Sequence, residues 1–202
     1  MYTKIILSNL ALSNLGVTKQ IESLTERQKE ANVCNQWADI VIDEMLRQFV
    51  WPFATKFVNL SLVSEDPTIE WKYAYRYPVD ALCLRRILSG VRNDTRATRV
   101  PYRLGADAQG KLIYTDMEDA QMEYTSKTLG RDPTGWDADF LTCTSYRLSA
   151  RIAPGLTAGD PFKMGQLAQS MYRLSYSQTT ATAANEEQAE DIPPSEFELS
   201  RS

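Results

Sequence analysis

Two aromatic blocks mark a change from helical to strand periodicity in this chain. The first, VWPFA at residues 50–54, follows a long amphipathic helical pattern. Pro52 ends that pattern, because it has no N–H to donate and disfavours helical angles at the residue before it. The second block, WKYAYRYP at 71–78, alternates aromatic side chains with Lys72, Ala74 and Arg76, as a strand does. The sequence therefore predicts helices before residue 52 and a β-rich region after it.

Two helices are predicted before this boundary. Apolar residues recur at helical spacing over 2–15, and Gly16 stands where a C-terminal cap belongs. The second helix is predicted over 26–49, with Thr25 and Gln28 spaced like a capping box at its start. Its predicted buried face contains Val33, Cys34, Trp37, Ile40, Val41, Met45 and Phe49.

Short strands and two further helices are predicted after the boundary. The extended segments are 53–63, 71–77, 81–88, 99–104, 111–114 and 121–124, separated by Pro- and Gly-containing turns. Helical spacing returns over 137–153, and Pro154 is predicted to end that helix. Asp160 is the expected N-cap of the last helix, with Pro161 at its first position. The residues of this helix predicted to face inward are Phe162, Met164, Leu167, Met171 and Leu174.

The predicted fold class is mainly α: an antiparallel helical bundle with a β-rich insertion and an extended C-terminal tail. Helices from both ends of the chain need each other to bury their apolar faces, so 1–52 and 133–184 form the bundle and 53–132 the insertion. The predicted interior of the bundle contains Trp37, Ile40, Val41, Leu141, Leu148, Leu167 and Met171. An acidic arm, 185–202, is predicted to be extended, because it contains a Pro-Pro pair.

The composition excludes several kinds of site. The chain of 202 residues has no histidine, which excludes Ser-His-Asp triads, Cys-His pairs and His-ligated metals. Cys34, Cys83 and Cys143 are too widely spaced for a zinc knuckle, and we expect them to be reduced and inert. No apolar stretch is long enough for a membrane helix, and we predict neither a signal peptide nor a cofactor.

Carboxylate-only chemistry is not excluded by the missing histidine. A glycan hydrolase needs two carboxyl groups about 5–10 Å apart, one of them with a raised pKa. Glu22, Glu26, Asp43 and Glu44 are the candidates. Since solvated carboxylates on helices are common, we predict no catalytic residue here and no enzyme.

The charge is distributed unevenly along the chain. Between Lys72 and Arg103 eight basic residues stand against two acidic ones, for a net charge of +6, so the rest of the chain has −10. These basic residues have three interpretations: nonspecific contact with DNA phosphates, contact with acidic protein neighbours, or solvation. The aromatic residues of 71–77 have two: stacking on bases, or packing against strands and subunits.

Several motifs occur in an order that is typical of one protein family. They are IESLTE at 21–26, Glu30-Ala31 and Cys34 in the long helix, VWPFA, WKYAYRYP, a looser match at 80–87 in which Cys83 is displaced by two places, LIYTD at 112–116, Tyr124 and Phe140. In this order they resemble the head-to-tail adaptor proteins of short-tailed bacteriophages, the family called tail tubular protein A.

The resemblance implies a structural protein of the virion, located at the head–tail interface and assembled in the host cytoplasm. Members of this family form a dodecameric ring below the portal, extend the DNA channel and seat the tail nozzle. The implied partners are the portal protein, the nozzle protein, further copies of the chain, and genomic DNA through transient nonspecific contact. The alternatives are another head-completion or tail-terminator ring protein, or the carboxylate-only glycan hydrolase.

Two sets of residues are expected to make the protein contacts. Family tails run along the portal, and the residues of this arm expected to bind it are Ile192, Pro193, Pro194, Phe197, Leu199 and Arg201. The insertion is expected to form the ring or tail interface. Its candidate residues are Trp71, Tyr73, Tyr75, Arg85, Arg86, Arg92 and Arg96.

Overall fold

The structure is a computed structural model and describes residues 1–91, 98–156 and 161–186. Its α-helices are α1 (Lys4–Asn14), α2 (Lys29–Gln48), α3 (Lys127–Arg131), α4 (Ala138–Leu156) and α5 (Pro161–Glu186). Two single-turn 3₁₀ helices cover Pro52–Ala54 and Pro133–Gly135. The strands are β1 (Thr55–Asn59), β2 (Leu62–Thr68), β3 (Trp71–Arg76), β4 (Ala81–Ile87), β5 (Arg103–Asp107), β6 (Gly110–Thr115) and β7 (Gln121–Ser126).

The protein is a mixed α and β protein, so the predicted mainly-α class was wrong. Helices account for 49% of it and strands for 24%, in five helices and seven strands of the described chain. The reason is that the strands between α2 and α3 do not form a small appendage. They make two antiparallel sheets that enclose a core of their own. The boundaries proposed for the bundle, the insertion and the arm stay predictions.

The helical part is organised around α4, which packs against α1, α2 and α5. Its apolar residues Phe140, Leu148 and Ile152 are fully buried, as its position between three helices requires. Small polar residues let α1 approach closely, and the Ser149 hydroxyl donates to the Ala11 carbonyl at 3.0 Å. The helical core thus joins elements from both ends of the sequence.

The β-rich part consists of two sheets in contact. A three-stranded sheet has the order β1-β7-β4, and a four-stranded sheet has the order β2-β3-β6-β5, with every neighbouring pair antiparallel. In the four-stranded sheet β2 and β5 are the edge strands. The core between the sheets contains Leu60, Tyr75, Tyr77, Ile87, Ile113, Ala120, Met122 and Tyr124.

The predicted start of α2 was wrong. The helix begins at Lys29, and its N-cap, Gln28, makes no side-chain capping hydrogen bond. Instead of a capping box there is a closed turn before the helix, in which the Glu26 carboxylate accepts the N–H groups of Glu22 at 2.7 Å and Ser23 at 2.6 Å. Local polar contacts in the loop therefore compete successfully with the predicted cap.

The predicted bundle interior was partly wrong. Val41, Leu141 and Leu148 are buried, whereas Ile40, Leu167 and Met171 are 47%, 56% and 39% exposed. Trp37 is half-buried, with the Arg151 guanidinium over its ring. On α2 the buried line runs through the small residues Ala31 and Ala38, which bring α2 close to its neighbours. The large residues beside this line are left nearer the surface.

The ends of the last two helices also differ from the prediction. α4 does not stop at Pro154 but continues through it to Leu156. A proline in the last turn costs less than one in the middle, because the helix needs few further ladder bonds beyond it. α5 extends to Glu186, so the first two residues assigned to the arm are helical. Asp160, the predicted N-cap, and residues 187–202 lie outside the described residues.

Candidate interaction surfaces

Three of the four carboxylates considered for hydrolysis are held by structural contacts, and the fourth, Glu22, is exposed. Glu26 accepts the backbone N–H groups of its own turn. Asp43 on α2 accepts a bidentate pair of hydrogen bonds from the Arg131 guanidinium, at 2.7 and 2.6 Å. Glu44 is held by Arg147 at 2.9 Å and by Arg151 at 2.8 Å. These pairs connect α2 to α3 and α4, and such bidentate pairing orients a carboxylate rather than freeing it for chemistry.

Two of the three cysteines lie in surroundings that disfavour the reactive thiolate. Burial raises the pKa of the Cys34 and Cys143 thiols to about 11, so both stay protonated at neutral pH. Cys83 is half-buried on β4. Among the residues that the structure describes, no group of three or more cysteines and carboxylates could hold a metal ion.

Arg85 joins the sheets to the helices instead of facing solvent. Its guanidinium donates to the carbonyl oxygens of Leu46 at 2.6 Å, Phe49 at 2.5 Å and Arg47 at 3.3 Å. Its Nε donates to the buried hydroxyl of Thr125 at 2.8 Å. The last carbonyls of α2 have no partner within the helix, so Arg85 acts as a C-terminal cap supplied by a strand.

The contact between helix and strand is reciprocal. Arg47, in the last turn of α2, donates to the Leu82 carbonyl on β4 at 3.1 Å. Sequence reasoning assigned Arg85 to an interface between subunits and missed this role, because nothing in the local sequence shows which helix end a strand will reach. That assignment stays a prediction, but most of the donors of Arg85 are already engaged within the chain.

Other basic residues of the insertion are also paired. Arg86 donates to Glu123 at 2.5 Å. Arg76 and Asp107 form a bidentate ion pair, with hydrogen bonds of 2.8 and 2.9 Å, which lowers the pKa of the Asp107 carboxyl to about 2. Arg103 lies 3.6 Å from Glu70, with both side chains largely exposed. Two further interface candidates, Arg92 and Arg96, lie outside the described residues.

Two aromatic residues of β3, Tyr73 and Tyr75, face the core between the sheets, whereas Trp71 lies beside residues of β5 such as Leu104 and Gly105. Tyr75 is 2% exposed, and its hydroxyl donates to the Met117 carbonyl at 2.9 Å. Tyr73 and Trp71 are half-buried. The buried ring of Tyr75 supports the packing interpretation over base stacking, and it leaves this side chain little surface for an interface.

The outer face of α5 presents an apolar stripe formed by Leu167, Met171 and Leu174. These residues recur at steps of four and three, so they lie on one side of the helix. They are 56%, 39% and 61% exposed, and no described residue covers them fully. The opposite stripe, which includes Ala168 and Tyr172, packs on α4. Sequence reasoning expected the first stripe to be buried within the chain.

The remaining predictions and the comparisons with known proteins add no site. The residues expected to bind the portal, Ile192, Pro193, Pro194, Phe197, Leu199 and Arg201, lie outside the described residues. No helix in the described ranges is both long and apolar enough to cross a membrane. Neither the models of known protein families nor the curated proteins give a match to this chain.

Proposed function

We propose that this chain is a head-to-tail adaptor of a short-tailed bacteriophage, a virion structural protein that forms a ring below the portal, continues the DNA channel and seats the tail nozzle. The motif order supports the family assignment. The observation in the structure that best supports an assembly role is the stripe of Leu167, Met171 and Leu174, since an aligned apolar stripe on a long helix is typical of a protein contact.

Several features agree with a passive structural role. Three of the candidate carboxylates, Glu26, Asp43 and Glu44, are held by arginines or by backbone N–H groups, and the two most buried thiols are protonated. Contact with genomic DNA belongs to the proposal as a weak, nonspecific contact, since DNA has to slide through the channel. Arg76, Arg85 and Arg86 are engaged within the chain, which leaves fewer cations for phosphates.

The proposal is tested by mixing the protein with the portal and imaging the product by negative-stain electron microscopy. We expect a second ring stacked on the portal ring, and none from the protein alone. A ring that forms without the portal would favour a tail-terminator or another head-completion protein. A product that shows only bare portal rings would refute the proposal.

The α5 stripe provides a variant with a matched control. Leu167→Glu combined with Leu174→Glu places two charges in the proposed contact, and we expect a folded monomer that no longer joins the portal ring. Gln166→Glu adds a charge at an exposed position of the same helix, outside the stripe, and should assemble normally. Assembly of the double variant at the wild-type level would show that the stripe is not a contact.

A further inference from the structure

We propose that neighbouring copies of this chain join edge to edge through the four-stranded sheet, with β5 of one copy beside β2 of the next. The inference rests on the proposed ring and names a contact within it. In the described parts of the chain no strand pairs with the outer edge of β2 or of β5. The occupant of each edge is a second copy of the same chain, and the contact extends the sheet from subunit to subunit.

An apolar row crosses this sheet from one edge to the other. The strand registers place Leu62 opposite Tyr75. They also place Ile113 opposite both Tyr75 and Leu104. The two central residues are 2% and 0% exposed, whereas Leu62 and Leu104 at the ends are 49% and 51% exposed. A neighbouring copy at the edge would continue the row by placing Leu104 against Leu62, and apolar cross-strand pairs stabilise a sheet.

The backbone groups of both end residues point to the open edges. The Tyr77 N–H donates to the Lys111 carbonyl, so the backbone groups of Lys111, and of Ile113 two residues on, point towards β3. Leu104 is opposite Ile113, so the backbone N–H and C=O of Leu104 point away from β6 and towards the edge. By the same alternation, the backbone groups of Tyr75 form their hydrogen bonds with β6. Leu62 is opposite Tyr75 on the other side, so the backbone N–H and C=O of Leu62 point away from β3 and towards the edge. Leu104 and Leu62 of two copies can therefore exchange both of their backbone hydrogen bonds.

The direction of the strands is compatible with a ring. An antiparallel sheet with an even number of strands has edges that run in opposite directions, so β5 meets β2 of a rotated copy in antiparallel orientation. A contact between two different edges is heterologous, and it repeats until the rotation closes a ring.

The charges at the two edges are complementary in this orientation. The end of β2, with Glu65 and Asp66, comes beside the start of β5, where the Arg103 side chain is 69% exposed. Asp66 has a φ of 46° and is followed by Pro67, and the register of β2 against β3 shifts between Leu62 and Ser64 and again after Glu65. Regular pairing at this edge is therefore confined to a short stretch around Leu62. Because so few residues can pair, this edge binds a neighbouring strand stably only when other contacts in the ring hold that neighbour in place.

Cysteine cross-linking tests the contact directly. Facing residues in a hydrogen-bonded antiparallel pair have Cα atoms about 5.5 Å apart, a separation that a disulfide spans. A chain with Leu62→Cys and Leu104→Cys is mixed with the portal, oxidised mildly and run on a denaturing gel without reductant. We expect a ladder of covalent oligomers up to the closed ring. The two single-cysteine variants share the same native cysteines and should stay monomeric.

The outcomes separate this inference from the proposed function. Stacked rings in the micrographs without a ladder on the gel would overturn the edge contact and leave the adaptor function in place. Dimers from Leu104→Cys alone would overturn it as well, because they show β5 against β5. A ladder without stacked rings would support the contact and refute the adaptor function, and the absence of both would refute the two together.

A charge exchange provides a second measurement without oxidation. Leu104→Asp or Leu62→Lys alone places a charge against an apolar residue of the next copy, and we expect loss of the ring in each case. Both substitutions in one chain bring Asp and Lys together at every contact and should restore the ring. Both positions are about half exposed, so the monomer should stay folded. Rings from each single variant would contradict the proposal.

Discussion

Replacing Arg85 with methionine is expected to loosen the junction between the helices and the sheets. Methionine keeps much of the aliphatic stem but removes every donor. Three of the lost hydrogen bonds reach carbonyl oxygens at the end of α2, and the fourth reaches the Thr125 hydroxyl, whose residue is fully buried. The helix end would be left without its cap, and the hydroxyl without its donor.

The size of the effect follows from the kind of bond that is lost. A hydrogen bond to a charged group contributes about 1.5–3 kcal/mol, but four bonds from one side chain are not additive, and part of the site is reached by water. We expect the free energy of unfolding to fall by about 3–5 kcal/mol, which is less than the sum of the four bonds. Arg103→Met is the matched control, because its ion pair with Glu70 is exposed on both sides and should contribute at most about 0.5 kcal/mol.

Urea unfolding followed by far-UV circular dichroism measures both variants. The stability of Arg85→Lys should lie between that of the wild type and that of Arg85→Met. A lysine ammonium group cannot donate to the carbonyls at the helix end and to the threonine hydroxyl at the same time, as the planar guanidinium does. If Arg85→Met is no less stable than Arg103→Met, the guanidinium does not hold the two parts together and the reasoning is refuted.

Three further predictions use the same preparation. Trp51→Ala should lower the free energy of unfolding by about 3–5 kcal/mol, because Trp51 is 1% exposed in the helical core. Trp37 is half-buried, so Trp37→Ala should lower it clearly less, and equal urea midpoints for the two variants would contradict this. Asp107→Asn should flatten the dependence of stability on pH between about pH 4 and 2. The Asp107 pKa is lowered to about 2, so its contribution is present above the unfolded pKa and is lost as the pH falls through the folded value; an unchanged slope would contradict it. Cys83 should react first with a thiol reagent at pH 8, because burial raises the pKa of the other two thiols to about 11, whereas equal rates for all three would refute this.

Periodicity in the sequence predicted some elements well and missed others. Most of β2 lies outside the predicted strands, β5 overlaps the predicted segment 99–104 at only two residues, and α3 was not predicted. The alternation over 71–77 and the turn residues around it predicted β3, and the proline after Trp51 predicted where the first helical region ends. These signals are local: a strand pattern or a helix stop depends on residues that are neighbours in the chain. The overall class was missed because local patterns do not show how strands combine into sheets, and here they form two sheets with a separate core.

The contacts between elements could not be predicted in the same way. α5 has two lines of apolar residues, and the sequence does not show that it meets only one helix closely, so Leu167 and Met171 were placed in the interior. The pairing of Arg85 with the end of α2 depends on a fold that brings distant residues together. Such a role is visible only from the structure, because an arginine in a strand looks the same whether it caps a helix or meets another subunit.

The two cores differ in how much of the chain each one needs, and this has a consequence for synthesis on the ribosome. The core between the sheets is built from residues between Val58 and Tyr124, whereas the helical core needs residues from Leu7 to Tyr172. The sheets can therefore fold while translation continues, but α1 and α2 must wait for α4 to emerge. During that interval the apolar faces of the first two helices are uncovered, and the nascent chain is most exposed to aggregation before α4 is complete.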